Sequence, residues 1–184
     1  LHPLAGHPDH APLRTRDVDL ALSLQAPVTG DLREALERAD FEREFFGEDS
    51  PPITRYVLGQ EDGGFYAEFL APLRGSGVKR DGSPDATASK AGINVQKLRH
   101  MELLLVGPWS VRVGPRTNTA FTELTDLLLA NPVAFIVQKL LIHDKRKRTK
   151  KAQDVLYIHD TLELFGGHVD DLHRLWVEHA RPAL

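Results

Sequence analysis

Two aspartates two positions apart, Asp17 and Asp19, lie in the segment Thr15-Arg16-Asp17-Val18-Asp19-Leu20-Ala21-Leu22. Polarity alternates along it as in a half-buried strand, so both carboxylates leave one face, about 6–7 Å apart at the backbone. Val18, Leu20 and Leu22 leave the other face, towards a core. Neighbouring carboxylates repel one another unless a positive charge stands between them. Hard divalent cations such as Mg²⁺ take oxygen ligands and keep room for substrate phosphates, so they suit the spacing. A strand whose solvent face carries two acids is the plain alternative.

Two further groups of residues have chemistry to offer. Lys139 lies in Val133-Ala134-Phe135-Ile136-Val137-Gln138-Lys139-Leu140-Leu141-Ile142, and Asp154 in Ala152-Gln153-Asp154-Val155-Leu156-Tyr157-Ile158. Each is a lone charge in an apolar helical stretch, where a charge needs a partner or water. Residues equally far from the turn near 146–147 lie level in an antiparallel helix pair, so these two can meet. A structural salt bridge or a snorkelling lysine fits the same pattern. Glu68 interrupts Phe65-Tyr66-Ala67-Glu68-Phe69-Leu70, where a strand disfavours an acid. Beside the Asp17/Asp19 strand it completes a trio of carboxylates; on an edge strand it points to water.

The elements that must hold these residues can be read in outline. A lead-in over 1–12 precedes a strand at 16–24. A turn at Pro27–Gly30 opens a helix capped by Thr29 or Asp31, with Leu32, Ala35, Leu36, Ala39 and Phe46 as its apolar stripe and Pro51-Pro52 as its end. The runs 53–59 and 64–70 predict an antiparallel hairpin. Residues 74–92 are rich in Gly, Ser, Asp and Lys and predict a mobile loop without P-loop spacing. Met101–Val106 and Ser110–Val113 predict a strand pair. Helices are expected over 122–129, 132–145, 150–165 and 169–179, with Pro132 following Asn131 as a first helical residue. The fold class is therefore α/β (α+β), with a core over 1–115 and a helical region over 116–184.

Composition narrows the function classes. At 184 residues, 41% apolar and 27% charged, the chain has an ordinary globular make-up. Its longest apolar runs are far too short to span a bilayer. No cysteine is present, which rules out disulfides and thiolate chemistry and fits a cytoplasmic location. A net charge of −3 speaks against a general nucleic-acid coat. Lys145-Arg146-Lys147-Arg148, with Lys150 and Lys151, is either a solvated turn or a footprint for an RNA, DNA or protein acceptor. Among nine histidines no zinc spacing occurs, and no serine has a nucleophile-elbow context.

Thr15-Arg16-Asp17-Val18-Asp19-Leu20, Phe65-Tyr66-Ala67-Glu68-Phe69-Leu70, Lys139-Leu140-Leu141 and Lys151-Ala152-Gln153-Asp154-Val155-Leu156 together resemble the nucleotidyltransferase fold of the DNA polymerase β superfamily. The likeness is closest to bacterial nucleotidyltransferase-like proteins related to abortive-infection toxins. It implies a small mixed sheet with a C-terminal helical region, and transfer of a nucleoside monophosphate from an NTP to a hydroxyl acceptor. It further implies that Asp17, Asp19 and Glu68 hold Mg²⁺, that Lys139 meets triphosphate charge, and that Asp154 orients Lys139 or touches the nucleotide. The family's Gly-Ser or Gly-Gly motif before the Asp-x-Asp strand has no match, since only Gly6-His7-Pro8-Asp9 precedes it. The expectation is that this motif lies upstream of Leu1 or that the chain is a degenerate member. A non-catalytic regulatory module and a metal-dependent phosphoesterase are the rival readings.

Overall fold

A computed structural model describes residues 15–49, 51–59, 64–116 and 122–184. The chain divides into two compact units, Arg14–Glu102 and one containing Leu103–Leu184.

The first unit is a mixed sheet on one side of which a short helix packs. Its elements are β1 (Asp17–Ala21), α1 (Leu32–Arg38), β2 (Glu42–Phe46), β3 (Ile53–Leu58), β4 (Phe65–Pro72), β5 (Thr87–Lys90) and β6 (Ile93–Leu98). β4 is the hub: β1 and β6 join it in parallel and β3 antiparallel, while β2 extends from β3 and β5 from β6. Alternation along β4 explains its central place. Ala67, Phe69 and Ala71 face a core shared with Tyr56, Ile93 and Val95, against which Val18, Leu22, Leu32, Leu36 and Phe41 pack. Tyr56 and Phe69 meet edge to face at 5.4 Å. Leu20, expected inside with Val18 and Leu22, is 38% exposed near the end of its short strand.

Asp31 does cap α1, accepting from the Glu34 amide at 3.1 Å. The helix nevertheless ends at Arg38, because Asp40 takes a left-handed conformation (φ 61°) and the chain leaves as β2. Phe46 therefore belongs to a strand and not to a helical stripe. The stretch 74–92 is no structureless loop, since it carries the Val78–Pro84 bridge and β5. The turn between β5 and β6 requires Gly92 (φ +78°), where a Cβ would sit 2.4 Å from the Asp31 carboxylate. Lys90 ties this corner to the chain after β1, donating to the carbonyls of Ser23 and Leu24 at 2.8 Å each and to that of Ala26.

Met101–Leu105, where the chain passes from the first unit to the second, is a 3-10 turn, not a strand. β7 (Trp109–Val113) pairs with β8 (Thr125–Leu129), the segment expected as a helix. Leu124, Leu127 and Leu128 stand at helical spacing, but cross-strand pairing of Leu127, Leu128 and Leu129 with Val111, Ser110 and Trp109 decides the matter. α2 (Pro132–Ile142), α3 (Arg148–Phe165) and α4 (Val169–Leu175) follow, α4 running on through a π-helical turn at Trp176–Ala180. Asn131 fixes the start of α2. It is fully buried, its Oδ1 accepts from the Ala134 amide at 2.8 Å, and its Nδ2 donates to the carbonyls of Val106 and Gly107. No helix among the described residues is long and apolar enough to cross a membrane.

Candidate active site

The parallel register of β1 on β4 sets Asp17 beside Tyr66 and Asp19 beside Glu68. Side chains alternate in step along paired strands, so Asp17, Asp19, Tyr66 and Glu68 share the sheet face opposite the core. β3 extends the row, with Arg55 opposite Glu68. β2 adds Glu44 opposite Arg55. One line of backbone partners thus reads Asp19, Glu68, Arg55, Glu44 across four strands.

Side-chain contacts organise this face further. The Arg55 Nε donates to Glu68 Oε1 at 3.1 Å. Its guanidinium lies over the Tyr66 ring at 4.1 Å and the Phe46 ring at 4.8 Å. Burial, followed by the nearby Asp17 charge, pushes the Tyr66 phenol's pKa up. Arg55, Tyr66 and Phe46 were not singled out from the sequence. Only the β3–β4 register shows that Arg55 faces the acids.

A hard divalent cation is compatible with this donor set: three carboxylates, two on one strand and one directly across on the next, all oxygen. As the side chains stand, no three His, Cys, Asp or Glu among the described residues gather closely enough to grip one. Glu68 is turned to Arg55 instead. The Gly6–Asp9 stretch lies outside the described residues.

The second unit holds the other predicted pair. Lys139 Nζ stands 3.2 Å from Asp154 Oδ1, across the α2–α3 interface. Asp154 is 1% exposed and Lys139 13%. Burial alone would raise the Asp154 pKa, but hydrogen bonds from Arg146 and the Lys139 charge outweigh it and hold the carboxyl below its ordinary range. Arg146 grips both oxygens, at 2.9 and 3.3 Å. The Lys139 ammonium also lies 5.2 Å from the Phe135 ring centre and 5.4 Å from that of Tyr157. Gln153 donates to the Tyr157 hydroxyl at 2.7 Å and accepts from Lys150 at 3.1 Å.

Arg146 changes the reading of the basic run. It folds back onto Asp154, while Lys145, Lys147, Arg148 and Lys150 are exposed. A helix capped by no side chain begins at Arg148, and the turn's geometry comes from Arg146 spanning to the second turn of α3.

A family model described as Nucleotidyltransferase matches residues 3–181 of the chain. Searches of curated proteins and of solved structures return no match.

Proposed function

The chain belongs to the nucleotidyltransferase family, and on that premise we propose that it moves a nucleoside monophosphate from an NTP to a hydroxyl acceptor and releases pyrophosphate, with Asp17, Asp19 and Glu68 as its acidic centre. The observation that supports this most is the β1–β4 register, which sets Asp19 directly beside Glu68 and keeps Asp17 on the same face. Asp17, Asp19 and Glu68 would hold Mg²⁺. Bound there, the ion supplies stabilisation of charge on the attacking and leaving oxygens of an in-line displacement.

The chain's own groups have separate tasks in this reading. Tyr66, the register partner of Asp17, flanks that carboxylate on the same sheet face. Glu68 accepts the proton of the attacking hydroxyl. Lys139, positioned by Asp154, meets triphosphate charge, and most of the acceleration comes from such placement and electrostatics. Lys145, Lys147, Arg148 and Lys150 form the electrostatic footprint for an RNA, DNA or protein acceptor, with Arg146 excepted because Asp154 holds it. Kinship with abortive-infection proteins and a cytoplasmic setting belong to the same proposal.

The test is incubation of the protein with labelled NTPs, Mg²⁺ and total RNA or cell lysate. Label appears on the acceptor with the native sequence and is lost in Asp17→Ala/Asp19→Ala. Release of nucleotide from a polymer without label incorporation would assign a phosphoesterase instead. A second reading, a nucleotide-binding module without turnover, is favoured by one observation: Glu68 is committed to Arg55. Saturable NTP binding with no product in any acceptor mixture would select it.

A further inference from the structure

Arg55 lies in the middle of an acidic row, and two of its contacts bear on the proposed centre. It is directly opposite Glu68 in the sheet, bonded to that carboxylate at 3.1 Å, and stacked on Tyr66, the register partner of Asp17. One cation therefore touches Glu68 itself and the ring that stands beside Asp17. Glu44 stands on its other side in the β2 register.

We infer that Arg55 is a positioning residue that occupies Glu68 in the metal-free protein and releases it when a divalent cation binds. The inference rests on the acidic-centre reading above. A row of carboxylates on adjacent strands repels itself, and the guanidinium offsets that repulsion while no other cation is present. A guanidinium stays charged at every physiological pH, so it competes with an incoming cation for Glu68 under all working conditions. The pair is partly exposed, with Arg55 at 33% and Glu68 at 25%, which makes the exchange easy. After release the guanidinium keeps a place, because the Phe46 and Tyr66 rings hold it at 4.8 and 4.1 Å without help from the carboxylate. Glu68 then has its oxygens free on the face it shares with Asp17 and Asp19.

The experiment is Mn²⁺ binding to the full chain, followed by the paramagnetic resonance signal of free Mn²⁺ in the absence of nucleotide. Asp17→Asn and Glu68→Gln are expected to weaken binding at least about tenfold each, as loss of a ligand carboxylate does. Arg55→Gln is expected to tighten it by about fivefold, the size of a partly exposed ion pair. Arg55→Met, whose straight stem keeps the packing on both rings, gives the same sign and guards against a folding artefact, with thermal unfolding checked for both. In the Glu68→Gln background, Arg55→Gln loses its tightening effect. If the two acid variants weaken binding while Arg55→Gln and Arg55→Met leave it unchanged or weaken it, the exchange is refuted and the acidic centre survives. If neither acid variant affects binding, the acidic centre itself fails, and the role of Arg55 with it.

Discussion

Replacing Asp154 by Asn removes one negative charge from a site where two cations depend on it. The Asp154 side chain is 1% exposed and Lys139 13%, so Lys139 cannot easily find water in exchange. Breaking a buried ion pair by removing one partner costs about 3–5 kcal/mol, mostly because the other charge is left buried. Arg146 moderates the loss, since at 35% exposure it can swing back to solvent. The expectation for Asp154→Asn is therefore about 3 kcal/mol. Lys139→Met is milder, at about 1 kcal/mol, because Met fills the space between Phe135 and Tyr157 while Arg146 still satisfies the carboxylate. In the double variant the stranded ammonium is gone. Its cost should fall below that of Asp154→Asn alone, a coupling of at least about 1 kcal/mol. Urea unfolding followed by far-ultraviolet circular dichroism measures all three. Additive costs, or a loss under about 1 kcal/mol for Asp154→Asn, would refute the argument that Lys139 depends on this carboxylate. NTP binding by Lys139→Met, measured where it is fully folded, then asks the separate question of a role for Lys139 in holding triphosphate. The proposal above requires binding to weaken.

Other perturbations have equally definite outcomes. The Asp154 carboxyl is depressed in the folded state, so its contribution is complete at neutral pH. That contribution starts to fall below the ordinary aspartate value of about 4 and is lost only as pH drops through the depressed value; unfolding at pH 3 and pH 7 should differ less in Asp154→Asn than in the native sequence. Gly92→Ala imposes a left-handed alanine and drives its Cβ into the Asp31 carboxylate, which displaces the cap of α1; about 2–3 kcal/mol of stability should disappear, read by urea unfolding. Reversing Lys147 and Lys150 to Glu should weaken any nucleic-acid binding and flatten its salt dependence, seen by fluorescence anisotropy over a salt series, while Arg146→Glu should instead damage stability.

What the sequence disclosed follows from where the signal was local. Alternation around Asp17 and Asp19, the hairpin flanking the 60–63 link, and Asn131-Pro132 are short-range patterns, and β1, β3, β4 and α2 stand where those patterns lead. The Lys139–Asp154 pair was legible because counting outward from a turn is geometry within one helical hairpin. β2, β5, β6 and β8 were missed for the opposite reason. Phe46 at helical spacing from Ala39, and the leucines of 127–129, look helical in isolation. Long-range pairing with β3 and β7 is what makes them strands, and no single sequence contains that pairing explicitly. Arg55 was invisible on the same ground. Nothing in Ile53-Thr54-Arg55-Tyr56 marks it as the residue that will face Glu68.

The two-sided use of β4 sets a rule for how this chain can vary. Between Phe65 and Pro72 every odd position from Ala67 to Ala71 fills the interior, while Tyr66 and Glu68 serve the opposite surface. Adding or deleting one residue between Tyr66 and Glu68 would reverse the face of every following position of the strand, turning a carboxylate inward and an aromatic ring outward. Length change should thus be barred there even where individual substitutions are accepted, and a scan of single-residue insertions along the chain should find its sharpest intolerance in this strand.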